Sequence, residues 1–266
     1  MQVVIIGAGN TATVLGRLFQ MKGHKVLQIV NHTISKAQIL AKEFGASAID
    51  YSGTINRDAD IYVVAIGDRF IKHVASHFNL TGKIVVHTAG SVEKEALQGL
   101  SDQYGVLWPM QSLRKETSYV PIIPFAVDGS TQEVVQAVNV FASTLSDQVT
   151  IADNTMRLKM HIASVIAANF ANHIYALADD FCKKEGIDFK LLVPLIKETA
   201  ERLELYAPAD VQTGPAQRND LDTITKHISL LELHPYLKRI YLRLTNSIMQ
   251  MPLPQHASLP KKEEQG

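Results

Sequence analysis

A glycine-rich segment near the amino end constrains the fold of this chain more than any other feature. An apolar run, Gln2–Ile6, leads directly into Gly7-Ala8-Gly9-Asn10-Thr11-Ala12, and a helical pattern follows as far as Met21. The spacing G-x-G-x-x-A between a strand and a helix predicts a dinucleotide site, because Gly7 permits the tight turn, Gly9 lets the backbone approach a pyrophosphate, and Ala12 lets the helix pack closely. The helix N-terminus then offers free N–H groups to the phosphates. The alternative is a glycine turn in an α/β fold that binds no cofactor.

The end of the second predicted strand bears on which dinucleotide binds. That strand, Lys25–Val30, is followed by Asn31-His32-Thr33, and no acidic residue occurs before Glu43. An NAD site usually carries Asp or Glu here for the ribose 2′-hydroxyl, and such a carboxylate would repel a 2′-phosphate. Asn31, His32, Thr33 and Lys36 offer hydrogen-bond donors and positive charge instead. The pattern therefore favours NADP over NAD, although a lone lysine such as Lys36 is more often simply solvated.

Short apolar runs alternate with helical patterns as far as about residue 152. The runs Ile61–Ile66 and Lys83–His87 are nearly continuous, as expected of strands buried on both faces. Repeated strand–helix–strand units predict a parallel sheet with right-handed crossovers. The chain is therefore predicted to be α/β, with an N-terminal Rossmann doubly wound parallel sheet over residues 1–152. Further runs are predicted to extend this sheet at Gly105–Trp108, Pro124–Val127 and Gln148–Ile151.

The loops that follow the later strands are predicted to complete the cofactor site. Ligands bind at the carboxyl ends of the strands in doubly wound sheets. The loop Trp108-Pro109-Met110-Gln111 is expected at the same edge, so that the loops form one wall of a pocket. His87 can equally be a strand-end histidine that touches no ligand. The residues expected to contact the cofactor in these loops are Ile66, Gly67, Asp68, His87, Thr88, Ala89 and Gly90.

The second half of the chain shows helical periodicity and no convincing strand. This predicts an all-helical domain over residues 153–250, for substrate binding and dimerisation. Its first pattern, Asn154–Glu185, indicates one long helix that ends in a cap at Gly186. This helix is apolar almost all round, so it is expected to be buried. The tail over residues 251–266 is rich in proline and charge and is expected to be disordered.

A narrow stripe of small and polar side chains interrupts the apolar surface of the long helix. With steps of about 100° per residue, His161, Ser164, Ala168 and Asn172 fall together, and Asn169 lies off the stripe. Buried polar groups need partners, so the stripe either faces cofactor and substrate or packs on a neighbouring helix. In the first case His161 is a candidate proton donor, and Asn169 and Asn172 are candidate substrate contacts.

A second distinctive segment is Thr213-Gly214-Pro215-Ala216-Gln217-Arg218-Asn219-Asp220. Gly214-Pro215 predicts a turn, and Asp220 is a good N-cap for a helix that follows. Arg218 beside that helix N-terminus suits a carboxylate or phosphate, which makes Thr213, Gly214 and Pro215 candidate substrate contacts. The alternative is a local bridge from Arg218 to Asp220 or Asp222. His227, two turns into the helix, is either a candidate acid or a core histidine.

Composition narrows the range of partners. Lysine and arginine number 26, as do aspartate and glutamate, so there is no basic footprint for nucleic acid or an anionic membrane. The single cysteine, Cys182, excludes an internal disulfide and a cysteine metal cluster. No apolar run approaches the ~18 residues of a spanning helix, and no signal-peptide pattern opens the chain. The expectation is a cytoplasmic protein with a small-molecule substrate, and without nucleic acid, membrane or metal.

Several of these motifs form one series that resembles a known bacterial family. They are GAGNTA at 7–12, HTAGS at 87–91, WPMQS at 108–112, His161 with Asn169, and TGPAQRND at 213–220 followed by His227. In that family a Rossmann-like NADP oxidoreductase half precedes a helical domain of unknown function, and TGP-x-x-R-x-D is its most specific motif. The chain is more distantly similar to pyrroline-5-carboxylate reductase, deazaflavin-dependent NADP oxidoreductases and β-hydroxyacid dehydrogenases. The resemblance implies NADP as cofactor and a homodimer formed through the helical half.

Two positions depart from these relatives. β-Hydroxyacid dehydrogenases carry a catalytic lysine with an asparagine four residues later, whereas Lys159 is followed at that offset by Ala163. The arginine motif often has glycine before its aspartate, and here Asn219 takes that place. The catalytic lysine–asparagine pair of the dehydrogenases is therefore not intact.

Three hypotheses for function remain from the sequence. The leading one is an NADP-dependent oxidoreductase that transfers a hydride between nicotinamide and a small carbonyl, imine or hydroxy compound, with Arg218 as an anchor for a substrate carboxylate. In it, His161 or His227 supplies a proton. The second is a non-catalytic NADP(H)-binding sensor or regulatory protein. The third is an imine reductase that needs no titrating side chain.

Overall fold

The structure is a computed structural model that describes residues Met1–Met251. The tail from residue 252 onward, expected from the sequence to be disordered, lies outside the described residues. The chain divides into two compact units, Met1–Phe170 and Ala171–Gly266. The first unit thus extends beyond residue 152, where the sequence predicts the end of the dinucleotide-binding domain. That earlier boundary stays a prediction.

One mixed sheet organises the first unit. Its strands are β1 (Gln2–Ile6), β2 (Lys25–Val30), β3 (Ser47–Ile49), β4 (Ile61–Val64), β5 (Ile84–His87), β6 (Gln103–Pro109), β7 (Phe125–Gly129) and β8 (Val149–Ile151). They are ordered β3-β2-β1-β4-β5-β6-β7-β8. Neighbouring strands are parallel except β6 and β7, which are antiparallel. The Rossmann sheet expected from the sequence is therefore confirmed, with one antiparallel pair in a sheet predicted to be parallel.

Helices flank this sheet and make up the second unit. The first unit contains α1 (Asn10–Met21), α2 (Ile34–Phe44), α3 (Gln132–Leu145) and α4 (Asn154–Ser164), with 3₁₀ helices at Asp68–Ser76 and Lys94–Leu97 and a π-helical segment at Val165–Phe170. The second contains α5 (Ala171–Lys184), α6 (Val193–Glu201), α7 (Leu221–Leu230) and α8 (Pro235–Gln250), with 3₁₀ turns at Phe189–Leu192, Arg202–Glu204 and Leu231–Leu233. No strand interrupts the described part of the second unit, as the sequence predicts.

The sheet is covered on both faces, which explains its nearly continuous apolar strands. Alternate residues of β1 point to opposite sides: Val3 and Ile5 pack with α1, α2 and α3. Val4 and Ile6 pack in the other layer with Ile71 of the 3₁₀ helix Asp68–Ser76. This two-sided core fixes the carboxyl ends of the strands, where the candidate site lies.

The start of α4 is tied to the sheet by a buried arginine. Arg157 is 1% exposed, and its Nη2 donates to the carbonyl oxygen of Val92 and to Oδ1 of Asn154. Its Nη1 lies 3.8 Å from the Asp128 carboxylate. Burial lowers the pKa of Arg157, and the neighbouring Asp128 opposes this shift. These contacts fix α4 on the Rossmann sheet and account for its place in the first unit.

The predicted long helix differs from the structure in two ways. The segment Val165–Phe170 is π-helical, so steps of about 100° per residue no longer follow its backbone and the predicted continuous polar stripe does not hold. The expected burial is also wrong for the described residues of the isolated chain, because apolar side chains on this face are about half exposed. The exposed apolar side chains of α4 and the π-helical segment include Leu158, Ile162, Ile166 and Phe170, which are 47%, 54%, 57% and 59% exposed.

The end of that helical run is as the sequence predicts. Gly186 adopts a positive φ of 70°, and the amide of Ile187 donates to the Cys182 carbonyl oxygen over 2.8 Å. This is the left-handed glycine that commonly ends helices. Within Met1–Met251, no helix is both long and apolar enough to span a bilayer.

Candidate functional site

The glycine-rich loop has the geometry of a phosphate-binding turn. Gly7 has a φ of 133°, and a Cβ atom built on it would stand 2.1 Å from the Ala65 carbonyl oxygen. Its amide donates to the carbonyl oxygen of Val30 over 2.7 Å. Gly9 precedes α1, whose N-terminus no side chain caps. A Cβ atom on Gly9 would meet nothing within 4 Å, so a phosphate has open space beside the free amides of the helix.

A cavity of about 960 Å³ opens beside this loop. Its volume is at the upper end of the range for small-molecule and cofactor sites, which suits a dinucleotide better than a small metabolite. Both the uncapped helix and the open space at Gly9 suit the pyrophosphate. The sequence-predicted cofactor residues that line the cavity are Ala8, Gly9, Asn10, Thr11, Asn31, His32, Lys36, Ile66, Gly67 and Asp68.

Several lining residues escaped the sequence analysis. They follow β3 or belong to the 3₁₀ helix Asp68–Ser76 and its end, and neither element has a periodic sequence signal. β3 is only three residues long, and a 3₁₀ helix does not follow the 3.6-residue repeat. Their one available signal is position, since they follow strands that end at the ligand-binding edge. They are Asp50, Tyr51, Ser52, Phe70, His73 and His77, and Ala65, which directly follows β4, lines the cavity as well.

Aromatic rings form the wall of the cavity beside the end of β2. The Tyr51 ring lies 6.5 Å from the His32 ring and 4.8 Å from the His77 ring, measured between centroids. Burial raises the pKa of Tyr51, so its hydroxyl stays neutral at physiological pH. The Asp50 carboxylate accepts hydrogen bonds from the hydroxyl and amide of Ser52, which lower the pKa of Asp50. This wall therefore offers flat surfaces, one fixed carboxylate and two imidazoles.

The other predicted cofactor residues do not line the cavity. Gly7 and Ala12 serve the turn and the packing of α1. Thr33 precedes α2, and its carbonyl oxygen accepts from the Asn31 side chain. The remaining four are the last residue of β5 and the three residues that follow it. These residues are His87, Thr88, Ala89 and Gly90.

His87 is a buried strand-end histidine. Its side chain is 0% exposed, its Nδ1 accepts from the Ala89 amide over 3.2 Å, and its Nε2 lies 3.3 Å from the carbonyl oxygen of Glu93. Burial lowers the pKa of His87 to about 4, and the positive Arg157 contributes to this shift. Both ring nitrogens are engaged and the ring is neutral near physiological pH, so neither nitrogen is free to bond to a cofactor.

His161 lies against the loops at the carboxyl ends of β5 and β6. Its ring packs edge-to-face on the indole of Trp108 at 5.8 Å between centroids, and its Cδ2 is 2.6 Å from where a Cβ of Gly90 would stand. Ser91, which follows Gly90, donates a hydrogen bond from its hydroxyl to the carboxylate of Asp68, and Asp68 lines the cavity. The structure therefore brings together three motifs that the sequence predicts to share one edge.

The asparagines of the predicted stripe are solvent-facing in the isolated chain. Asn169 belongs to the π-helical segment, and Asn172 belongs to α5 in the second unit. Both side chains are exposed. Ser164 donates back to the carbonyl oxygen of Met160 on its own helix. The contacts of Asn169 and Ser164 thus favour neither of the two arrangements predicted for the stripe, in which it faces a ligand or bonds to a neighbouring helix.

The segment around Arg218 folds as the sequence predicts. Gly214 has a φ of 109° and Pro215 accepts at its carbonyl oxygen from the Asp220 amide. Asp220 caps α7 by accepting from the amide and hydroxyl of Thr223, which lower the pKa of Asp220. Asn219 adopts a φ of 59°; asparagine is among the few non-glycine residues that tolerate this conformation. Asn219 therefore keeps the turn at the position where the motif often has glycine.

Two candidate side chains of the second unit have contrasting surroundings. Arg218 is exposed, and among the described residues it forms no ion pair with Asp220 or Asp222. The local bridge considered from the sequence is therefore absent there. His227 is half-buried, and its Nδ1 lies 2.8 Å from the Tyr241 hydroxyl, which joins α7 to α8.

Metal chemistry has no visible support in the described residues. Within Met1–Met251, no three or more histidine, cysteine, aspartate or glutamate side chains are placed to hold a metal ion.

Comparison with known families decides the relationship of this chain. Residues 2–91 match the family described as NADP oxidoreductase, coenzyme F420-dependent, and residues 123–248 match the domain of unknown function DUF2520. A solved structure of a "putative NADP oxidoreductase" from Bacteroides fragilis is 35% identical, with 94% of this chain and 98% of that chain covered and a TM-score of 0.83. This chain belongs to that family of two-part NADP oxidoreductases. NADP is its cofactor, as the sequence predicts.

More remote relatives extend the comparison of the fold. A 1-pyrroline-5-carboxylate reductase from Streptococcus pyogenes has a TM-score of 0.62 at 13% identity, with 94% of this chain and 99% of that chain covered. This likeness concerns the fold alone. A glutamyl-tRNA reductase from Shewanella halifaxensis is 35% identical over 88 residues, which are 33% of this chain and 20% of that protein. The match thus spans about a fifth of that reductase.

Proposed function

We propose that this member of the family transfers a hydride between NADP(H) and a small carbonyl, imine or hydroxy compound. When bound, the cofactor supplies the hydride chemistry, and the protein supplies binding, orientation and proton transfer. Gly9 and the free amides at the start of α1 bind the pyrophosphate in this proposal. Asn31, His32 and Lys36 face the adenosine ribose, and Ile66, Gly67 and Asp68 line the path toward the nicotinamide.

The observation that carries this proposal is the position of His161. Reduction of a carbonyl or imine needs a proton as well as a hydride, and histidine is the side chain best suited to exchange it near neutral pH. His161 packs on Gly90 and Trp108 at the strand ends. No hydrogen bond to its ring is found among the described residues. Its nitrogens are therefore available to a substrate atom.

Residues of the second unit have a proposed part in substrate binding. Arg218 is exposed and near the N-terminus of α7, where the helix dipole favours an anion. A carboxylate on the substrate would suit this site, together with Thr213, Gly214 and Pro215. The Asn169 and Asn172 amides are further candidates. His227, bonded to Tyr241, is the alternative proton donor.

We also propose that the protein is a homodimer through residues 153–250. Apolar side chains of α4 and the π-helical segment are about half exposed, and soluble monomers rarely leave large apolar surfaces uncovered. A second copy is the commonest partner for such a face. A location in the cytoplasm stays a prediction.

The test is a screen of small keto acids, imines and aldehydes with NADPH, followed through loss of the reduced-nicotinamide absorbance. On a substrate that reacts, His161→Ala should lower kcat roughly a hundredfold or more. Arg218→Ala should raise KM for an acidic substrate about tenfold, because it removes a charge-assisted hydrogen bond. NADPH affinity should be nearly unchanged in both variants.

Lys159→Ala is the matched control, because Lys159 is an exposed residue of the same helix. Its kcat and KM should stay at the wild-type values. If kcat and KM are the same in the wild type and in the His161 and Arg218 variants, these two residues have no part in catalysis or substrate binding. The protein would still be an enzyme. Tight NADPH binding without turnover on any candidate would favour the non-catalytic NADP(H)-binding protein instead.

A further inference from the structure

The cavity wall beside the end of β2 is rich in histidine. In doubly wound folds the adenosine ribose lies at this strand end, and arginine commonly receives a 2′-phosphate there. Among the described residues that line this cavity there is no arginine. Its cationic and imidazole side chains are Lys36, His32, His73 and His77. Only one of these, Lys36, carries an ammonium group, and the other three are imidazoles.

Two of the histidines are held by one tyrosine. The Tyr51 ring contacts the His32 ring edge-to-face, and it lies closer still to the His77 ring. Tyr51 also packs edge-to-face on Phe78 at 5.6 Å between centroids, and Phe78 belongs to the buried core of the sheet. Tyr51 thereby lies beside both imidazoles, although they come from different segments of the chain.

We propose that His32 and His77, in their protonated form and together with Lys36, bind the 2′-phosphate of NADPH. The preference for NADPH over NADH then weakens as the pH rises from 6.5 to 8.5. The inference rests on the cofactor site of the proposed function, and it adds His77 and a dependence of cofactor choice on pH. Histidine is the side chain whose charge changes in this range.

The other groups that face this end of the cavity do not produce the same effect. Hydrogen bonds from Ser52 lower the pKa of Asp50, so Asp50 keeps its negative charge throughout. Burial raises the pKa of Tyr51, so Tyr51 stays neutral below pH 8.5. Asp68 lies at the far end of the 3₁₀ helix from His77.

The 2′-phosphate itself titrates in the opposite sense. A phosphate monoester loses its second proton near pH 6, so its negative charge grows as the pH rises. Without titrating histidines, that growth would strengthen its attraction to Lys36. A loss of NADPH affinity at higher pH therefore points to the imidazoles and not to the cofactor.

The experiment is a pair of binding titrations at pH 6.5 and 8.5 and constant ionic strength, by calorimetry. We expect the Kd of NADPH to rise about tenfold between the two values, the worth of one charge-assisted hydrogen bond. The Kd of NADH should change less than twofold. The fragment 2′,5′-ADP should follow NADPH and 5′-AMP should follow NADH, which assigns the effect to the 2′-phosphate.

Variants identify the histidines. His32→Asn and His77→Asn should each weaken NADPH binding at pH 6.5 more than they weaken NADH binding. His32→Arg supplies a permanent charge, so it should tighten NADPH binding at pH 8.5 about tenfold over the wild type. His173→Asn, at an exposed position of α5, should leave both titrations unchanged. Melting curves establish that each variant is folded.

Other results would overturn the proposal. A Kd for NADPH that is constant or falls with rising pH would reject protonated histidines, while the cofactor site of the proposed function would stand. Loss of the pH dependence in His73→Asn, with His32→Asn and His77→Asn behaving as wild type, would reject the assigned pair. Failure of both dinucleotides to bind the folded protein would contradict the cofactor site itself.

Discussion

Gly90 and His161 are packed so closely that a side chain at the glycine would collide with the imidazole. A Cβ atom on Gly90 would stand 2.6 Å from Cδ2 of His161 and 2.7 Å from Cε2 of Trp108. Backbone conformation does not require a glycine here, because the φ angle of Gly90 is not positive. The glycine is needed because the ring of His161 occupies the space of a side chain.

Gly90→Ala should therefore displace His161 and lower turnover, with little effect on NADPH binding. We expect kcat to fall roughly tenfold to a hundredfold, since small displacements of a proton donor are costly. The measurement is kcat for the wild type, both single variants and the Gly90→Ala/His161→Ala double variant. The double variant should lose no more activity than His161→Ala alone. Fully additive losses would show that Gly90 acts independently of His161.

The first two glycines of the loop should respond differently to substitution. Gly7→Ala puts a Cβ 2.1 Å from the Ala65 carbonyl oxygen at a positive φ, so it should reduce the free energy of unfolding by about 3 kcal/mol. Gly9→Ala meets open space and should leave stability nearly unchanged. Gly9→Asp should also fold, but its carboxylate would repel the pyrophosphate and weaken NADPH binding roughly a hundredfold or more.

Denaturant unfolding and NADPH titration of the three variants check this contrast. Gly9→Ala is the control for Gly9→Asp, since both add a side chain and only one adds charge. A folded Gly9→Asp protein with wild-type affinity for NADPH would mean that the loop is structural. A Gly7→Ala protein as stable as the wild type would contradict the packing described for the turn.

The sequence predicts the parts of the site whose chemistry is local. The glycine-rich loop, the strand before it and the cap at Asp220 each follow from neighbouring residues, and each has the predicted geometry. Tyr51 and His77 could not be predicted in this way. They reach the cavity through a three-residue strand and a 3₁₀ helix, whose sequences carry no periodic signal.

The exposed apolar helix shows a different limit of sequence reasoning. The apolar pattern of α4 predicts that its surface is covered, but it does not say by which molecule. The π-helical segment Val165–Phe170 is likewise invisible to a helical wheel, because the wheel assumes a constant turn per residue. Both differences lie in the helix that carries His161 and Asn169, the candidate proton donor and a candidate substrate contact.

Buried His87 should make stability depend on pH. Burial lowers the pKa of His87 to about 4 in the folded protein, against about 6.5 for an ordinary histidine, so the unfolded chain binds more protons between these values. The free energy of unfolding is then greatest above pH 6.5 and falls as the pH drops to 4, by up to about 3 kcal/mol for this group. Urea unfolding of the wild type and His87→Gln at several pH values checks this.

The difference in the free energy of unfolding between the wild type and His87→Gln, measured at each pH, separates the contribution of His87 from those of the other titrating groups. His87→Gln removes the titrating ring, so its stability should fall less steeply between pH 6.5 and 4, even if its stability at pH 7 is lower. Parallel curves for the wild type and the variant over this range would contradict a neutral, buried His87.

The exposed apolar face of residues 153–250 should hold two copies together. Ile166 and Phe170 are 57% and 59% exposed in the isolated chain. Burial of such side chains against a second copy stabilises a dimer by roughly 25 cal/mol for each Å² of apolar surface. Sedimentation at micromolar concentration should report about twice the chain mass of 29.4 kDa. Ile166→Glu should shift the mass to that of one chain, because it places a charge in the interface.

Ile39→Glu is the matched control for this change. Ile39 is an isoleucine of α2 that is 74% exposed, and it lies outside the proposed interface, so the dimer should persist. A wild-type protein that sediments as a single chain would contradict the dimer. A dimer that survives Ile166→Glu and dissociates in Ile39→Glu would move the interface from the helical half to the Rossmann domain.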